Sequence, residues 1–192
     1  MDKLLVLING LPGSGKSTLG RALAATLNAQ FLSKDAVKEA LAAYVYDREV
    51  GAELGGVAMD TVWALARAVP QSVVIDSWWF KPRDLRYAAA GIETVRADRV
   101  VEVWCRVPAD TARQRYMTRR RSDLYRDRQR LADHWETWAE QAEPLGLAPT
   151  VFVDTTQPVD CAELAARIEL ASTGYQRATP GYPTPEACCR RR

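Results

Sequence analysis

At 192 residues the chain is long enough for one α/β domain with a full hydrophobic core and too short for two comfortable ones. Its 26 Lys and Arg nearly balance 24 Asp and Glu, so overall charge does not point to a nucleic-acid or membrane partner. No apolar run approaches the ~20 residues of a membrane span. Cys105, Cys161, Cys188 and Cys189 lack C-x-x-C spacing and companion histidines, which argues against structural zinc and for a reducing cytoplasm.

The start MDKLLVLI runs straight into a glycine-rich loop without a small-residue cleavage site, so it does not read as a signal peptide. KLLVLI at 3–8 reads instead as a strand buried on both faces. After the loop, LGRALAATL has helical apolar spacing up to Asn28, FLS at 31–33 is a short second strand, and DAVKEALAAYVY a helix. A further helix is expected from about Glu49 to Val69, stopped by Pro70, followed by the buried strand SVVID at 72–76.

WWFKPRDLRYAAAG then reads as an aromatic loop and a short helix, VVEVWCRV at 100–107 as a strand with Trp104 in the core, and PADTARQRYMTRRR as a helix. SDLYRDRQRL is expected to be a charged loop or broken helix, DHWETWAEQAEPL a helix and TVFVDT the last strand. The final helix lies in PVDCAELAARIELA, with Pro158 near its first turn. Strands alternating with helices imply βαβ units and a parallel sheet. Residues 173–192, rich in Pro and Gly and without apolar periodicity, are expected to be a disordered tail.

GLPGSGKST carries the chemistry. Gly10, Gly15, Lys16 and Ser17 satisfy G-x-x-x-x-G-K-[ST], between a buried strand and an amphipathic helix. Such a loop aims backbone N–H groups of Gly13, Ser14, Gly15 and Thr18 at phosphates, and the helix N-terminus favours the anion. Lys16 would neutralise the β and γ phosphates of ATP or GTP, and the Ser17 hydroxyl would hold Mg²⁺. The loop alone does not separate kinase from GTPase or motor.

Three further segments narrow the reading. Asp35, just past the second strand, can take a proton from an attacking hydroxyl or merely complement a helix dipole. Asp76 ends the third strand, where an acidic residue holds Mg²⁺ through water, contacts an acceptor, or caps the following turn. Trp78 and Trp79 follow; as chain neighbours they cannot readily share one core, so either one lines a cleft or both pack beneath the adjoining loop. Arg113, Arg115, Arg119, Arg120, Arg121, Arg126, Arg128 and Arg130 crowd one segment. They suit a solvated face, a phosphate-binding lid over about 115–130, or a nucleic-acid backbone.

GLPGSGKST followed by FLSKDAVKEAL resembles small P-loop kinases of the group containing chloramphenicol phosphotransferase, zeta toxin, polynucleotide kinase and gluconate kinase. The resemblance implies a P-loop NTPase fold like that of nucleoside-monophosphate kinases, in a kinase domain over 1–172 with a helical lid. It implies Asp35 as general base and Arg115, Arg119 and Arg120 as lid arginines acting on the phosphoryl group. The function it implies is transfer of the γ-phosphate of ATP or GTP to a small-molecule hydroxyl, plausibly on an antibiotic or nucleoside-type compound in resistance or self-protection. Trp78 and Trp79 would then face the acceptor, and the protein would act as a monomer or homodimer. Two other readings share the loop: a polynucleotide 5′-hydroxyl kinase, disfavoured by the near-neutral charge and lack of a nucleic-acid module, and a nucleotide-dependent switch, disfavoured by the absence of N-K-x-D. A zeta-like toxin is a further variant of the resemblance.

Overall fold

The computed structural model describes residues 2–45, 53–119, 125 and 127–173. Strands β1 (Leu4–Asn9), β2 (Gln30–Ser33), β3 (Val73–Asp76), β4 (Arg99–Arg106) and β5 (Thr150–Asp154) form one sheet in the order β2-β3-β1-β4-β5. Every pairing is parallel. The connecting helices are α1 (Lys16–Thr26), α2 (Lys34–Ala42), α3 (Leu54–Ala68), α4 (Lys81–Val95), α5 (Ala109–Thr118), α6 (Asp127–Gln141) and α7 (Cys161–Ser172).

β1 occupies the middle of the sheet because all six of its residues are buried. Alternate side chains point to opposite faces. Leu5 and Leu7 pack with Val62, Trp63, Ala88 and Ile92 of α3 and α4. Leu4, Val6 and Ile8 pack with Leu19, Leu23, Leu164 and Ile168 of α1 and α7. β5 alternates buried and exposed positions, as an edge strand with one covered face does. A third cluster, Leu11, Ala112, Trp135 and Trp138, packs the phosphate-loop segment against α5 and α6.

The parallel order puts all strand ends that feed the loops along one edge, where ligands of open α/β sheets bind. Register aligns Ile8 of β1 and Ser33 of β2 with Asp76 of β3. The loop after β1, the start of α2 and the exit from β3 therefore meet at one place.

Several boundaries differ from the sequence reading. The helix expected from Glu49 is described only from Leu54, since 46–52 lie outside the described residues. The short helix after the tryptophans is a fifteen-residue helix, Lys81–Val95, because Pro82 sits in its first turn, where a missing N–H costs nothing. The segment expected to be broken is helical from Asp127 onward, continuous with DHWETWAEQ, because Leu131, Trp135 and Trp138 keep one helical face in the third cluster. Pro158 precedes α7 rather than entering it; the cap is Asp160, whose carboxylate accepts the N–H groups of Ala162 (2.8 Å) and Glu163 (3.1 Å). The expected tail lies outside the described residues from 174 onward.

Helices α3 and α4 approach closely because Gly91 has no side chain: a Cβ there would lie 2.1 Å from Trp63 Cε2. Gly91→Ala therefore forces Trp63 from its place in the core. We expect the clash to outweigh the helix-propensity gain and destabilise the fold by about 1–3 kcal/mol in urea titration. An unchanged midpoint would show that the α3–α4 packing is looser than this contact implies.

Candidate active site

The loop after β1 follows the geometry its glycines permit. Gly10, Gly13 and Gly15 have φ of 138°, 86° and 87°. Gly13 is doubly constrained, since a Cβ would also lie 2.1 Å from the Ala112 carbonyl oxygen of α5. The turn is closed by Ser14 N–H donating to Leu11 O at 3.0 Å. Helix α1 then begins at Lys16, so Lys16, Ser17 and Thr18 occupy its first turn, where N–H groups lack helical partners.

Lys16 is buried, and its Nζ donates to the carbonyls of Gly10 and Leu11, both at 2.8 Å. The same ammonium lies 5.9 Å from the Trp78 ring centroid. Burial pushes its pKa down, and the nearby Asp76 carboxylate opposes that most strongly. Asp76 is itself 4% exposed. Burial pushes its pKa up; Lys16 and hydrogen bonds from the Ser17 and Ser33 hydroxyls hold it down. Ser33 Oγ donates at 3.4 Å and also caps α2 by accepting the Ala36 N–H. Ser17 and Asp76 thus juxtapose two hard oxygen donors beside the phosphate loop, a set that fits Mg²⁺ completed by water and phosphate oxygens.

Asp35 stands in the first turn of α2, where both readings of it would place it, and borders the same cavity as Lys16 and Asp76. Its side chain is 41% exposed, and Arg119 Nη2 approaches its Oδ2 to 3.9 Å. Tyr125, buried at 3% exposure, holds the helix from outside: its hydroxyl lies 3.0 Å from the Asp35 carbonyl oxygen and 3.1 Å from Glu39 Oε1. Arg115 sits elsewhere. Its guanidinium donates to the carbonyls of Thr155 (3.1 Å) and Thr156 (3.4 Å) after β5, while still bordering the cavity. Arg120 lies outside the described residues, as do 121–124 and 126 of the expected lid.

The two tryptophans part company. Trp79 is 3% exposed and stacks on Trp63 with centroids 6.2 Å apart, in the core beneath α3 and α4. Trp78 turns to the other cluster, against Phe80 (5.9 Å), Trp104 (6.5 Å) and Trp138 (6.3 Å). Both border the cavity. The indole N–H of Trp78 is buried without a hydrogen-bond partner among the described residues. Trp104 lies in the interior as expected, 8% exposed. The cavity, about 1080 Å³, runs from the phosphate loop past Asp35 and Asp76 to Tyr87. That lies at the upper end of the ~300–1,000 Å³ usual for ligand pockets.

Two residues escaped the sequence reading. Asn9 and Glu102 are 0% and 1% exposed. Asn9 Oδ1 accepts the N–H groups of Gly10 (2.8 Å) and Trp79 (3.2 Å). Its Nδ2 donates to Trp79 O (3.2 Å) and Glu102 Oε1 (2.9 Å). Glu102 also accepts the N–H groups of Leu145 (3.0 Å) and Gly146 (3.3 Å), which offset the burial that raises its pKa. The signal was present as a lone carboxylate inside the apolar strand VVEVWC and a lone amide closing LLVLIN.

Asn9→Asp keeps the shape but turns an acceptor toward the Glu102 carboxylate and the Trp79 carbonyl. We expect a loss of at least about 2 kcal/mol in urea titration at neutral pH; wild-type stability would remove Asn9 as the hub. Because burial disfavours the Lys16 ammonium, its proton leaves at lower pH than from an ordinary lysine. ATP affinity should therefore decline with an alkaline limb below pH 10.5, a limb absent from Lys16→Arg, whose guanidinium stays charged across that range. A limb at or above that value would show Lys16 to be solvated.

Comparison with known proteins agrees with the fold. The chain matches the model of the AAA domain over residues 5–145. No curated protein matches it. A solved structure of a presumptive kinase from Chloroflexus aurantiacus j-10-fl is similar, with TM-score 0.69 and 22% identity over 89% of this chain and 99% of that one. A gluconokinase from Sinorhizobium meliloti 1021 aligns with TM-score 0.55 and 21% identity, over 90% of this chain and 95% of that one. Shikimate kinase from Acinetobacter baumannii, in complex with shikimate, aligns with TM-score 0.50 and 18% identity over 90% and 95%. At these identities the likeness is one of fold. With its phosphate loop at the edge of a five-stranded parallel sheet and the model match spanning most of its length, the chain belongs to the AAA domain family.

Proposed function

We propose that the protein is a phosphotransferase that moves the γ-phosphoryl group of ATP or GTP to a hydroxyl of a small molecule, on an antibiotic or nucleoside-type compound. The observation that carries this reading is the meeting of Lys16, Ser17, Asp76 and Asp35 along one wall of a cavity of about 1080 Å³.

In this reading the loop N–H groups and the first turn of α1 hold the β and γ phosphates, and Lys16 exchanges its carbonyl partners for phosphate oxygens. Ser17 and Asp76 would hold Mg²⁺, which when bound neutralises charge on the transferring group. Asp35 takes the proton of the acceptor hydroxyl as its oxygen bonds to the γ phosphorus and the bond to the β-phosphate oxygen breaks, releasing the nucleoside diphosphate. Arg119, already drawn toward Asp35, would stabilise charge on the transferring oxygens. Arg115, tied to the loop after β5, would brace the nucleotide side, and Arg120 would join Arg119 in the lid over about 115–130 of a kinase domain spanning 1–172. Trp78 would wall the acceptor side, with its buried N–H as a donor, and Trp79 would support it from the core.

An antibiotic acceptor would make this a resistance or self-protection enzyme. Among the described residues no helix is long and apolar enough to cross a membrane, and a cytoplasmic setting with ample nucleoside triphosphate fits the reading.

The test is a screen of hydroxyl acceptors with ATP and GTP in parallel, read as a mass gain of one phosphoryl group. Asp35→Asn should bind nucleotide as the wild type does yet lose transfer by roughly 10²–10⁴-fold, and Lys16→Ala should lose both. An unchanged kcat in Asp35→Asn would remove it as the base, and full turnover in Lys16→Ala would overturn the reading.

A further inference from the structure

Beyond Asp35 the cavity carries positive charge that the transfer step does not use. Lys34 opens α2, Arg83 lies in the first turn of α4 and Arg130 in the first turn of α6, and all three border the cavity. Three separate elements thus bring cations to the rim of one space, Lys34 half-buried and Arg83 and Arg130 exposed.

Their charges are not equally met. Arg83 forks onto Asp84, with Nε and Nη2 each 2.7 Å from a carboxylate oxygen, and Asp84 also accepts the Phe80 N–H at 2.9 Å. Asp127 accepts the Tyr116 hydroxyl at 2.7 Å, and Asp35 is approached by Arg119. Lys34 and Arg130 differ: among the described residues neither has a carboxylate within ion-pair distance. Asp60 of α3 borders the cavity too, but pairs with neither.

Lys34 is half-buried, beside the general-base candidate. Burial pushes its pKa down first and the Arg83 guanidinium second; Asp35 and Asp84 push it back, and Arg130 lowers it further. A lysine on a free surface would extend its ammonium into water, away from two guanidinium groups. Here the fold keeps a partly desolvated cation among other cations, which costs stability unless an anion arrives. Arginine and lysine together make a mixed anion clamp: a planar fork and a point charge.

We propose that the acceptor carries a fixed anionic group, a carboxylate or a phosphate monoester, which seats between Lys34 and Arg130 while its hydroxyl lies at Asp35. This rests on the phosphotransferase reading. It makes the specificity of the acceptor side partly electrostatic, with Trp63 and Tyr87 bordering the same space and available to the rest of the molecule.

The experiment compares matched acceptors that differ only in the anion: D-gluconate with D-glucitol, 3-hydroxybenzoate with 3-hydroxybenzyl alcohol, and uridine 5′-monophosphate with uridine. Transfer from ATP is measured for each, and equilibrium binding of the same six compounds to the nucleotide-loaded protein is measured alongside. A charge-assisted contact predicts that at least one acid exceeds its neutral partner by about 10–100-fold, through KM or Kd rather than kcat. Lys34→Met and Arg130→Met should each bring that ratio toward one, and Lys34→Arg should restore part of it. The first two pairs report carboxylate preference and the third phosphate preference.

Neutral members equal to or better than their acids in both transfer and binding would overturn the proposal, as would an acid preference untouched by both methionine variants. Lys16-dependent transfer to any compound of the hydroxyl-acceptor screen, followed in the same preparations, is the quantity that decides. Its presence without any acid preference overturns the anion clamp alone, and its absence across the whole screen overturns the phosphotransferase reading and the clamp with it.

Discussion

Asn9 is the point on which the two halves of the site depend. It is the last residue of the most buried strand, and its amide is saturated: two N–H groups come in and two go out, to the first loop glycine, to both backbone groups of Trp79 and to Glu102. A neutral amide can do this because it offers two donors and two acceptor sites in one plane. The phosphate loop and the exit from β3 are thereby held in one register. Through Glu102 the same lattice reaches Leu145 and Gly146, so the chain after α6 is fastened to the sheet as well. Each such bond contributes only about 1 kcal/mol net, but leaving any of these buried groups unmet costs more.

The charge arrangement above this hub is a set of opposed pulls. Burial pushes both Lys16 and Asp76 toward their neutral forms, and each partly protects the charge of the other. Ser17 and Ser33 add hydrogen bonds that favour the ionised carboxylate. The result is a buried ammonium and a buried carboxylate that act on one another across the start of α1 and the end of β3 without a closed salt bridge among the described residues. Asp35 is different in kind, half-exposed at a helix start, with Arg119 3.9 Å away.

Most of the donor side was legible in the residues. An apolar strand, expected at 3–8 and found at Leu4–Asn9, a glycine loop with Lys16 and Ser17, and an apolar-periodic helix are all local patterns, and local sterics decide them. The same holds for the alternation that predicted a parallel sheet. Less legible were the extents of α4 and α6, because α4 begins at Lys81 and runs on past the expected short helix to Val95, and because the charged letters around Asp127 hid the face carrying Leu131, Trp135 and Trp138. Nor did the arginine-rich segment reveal that Arg115 serves carbonyls after β5 while Arg119 turns toward Asp35.

By itself, then, the sequence determined the strand-loop-helix of the phosphate-loop motif and the parallel α/β architecture, since each follows from local spacing. Only the tertiary structure decided that Trp79 stacks on Trp63 while Trp78 packs against Trp104, that Asn9 and Glu102 tie the phosphate loop to the exit from β3, and that Lys34 and Arg130 border one cavity from different helices. The reason is separation along the chain. Contacts between residues 70 to 95 positions apart are set by sheet order and register, and those emerge only when several buried faces are satisfied at once.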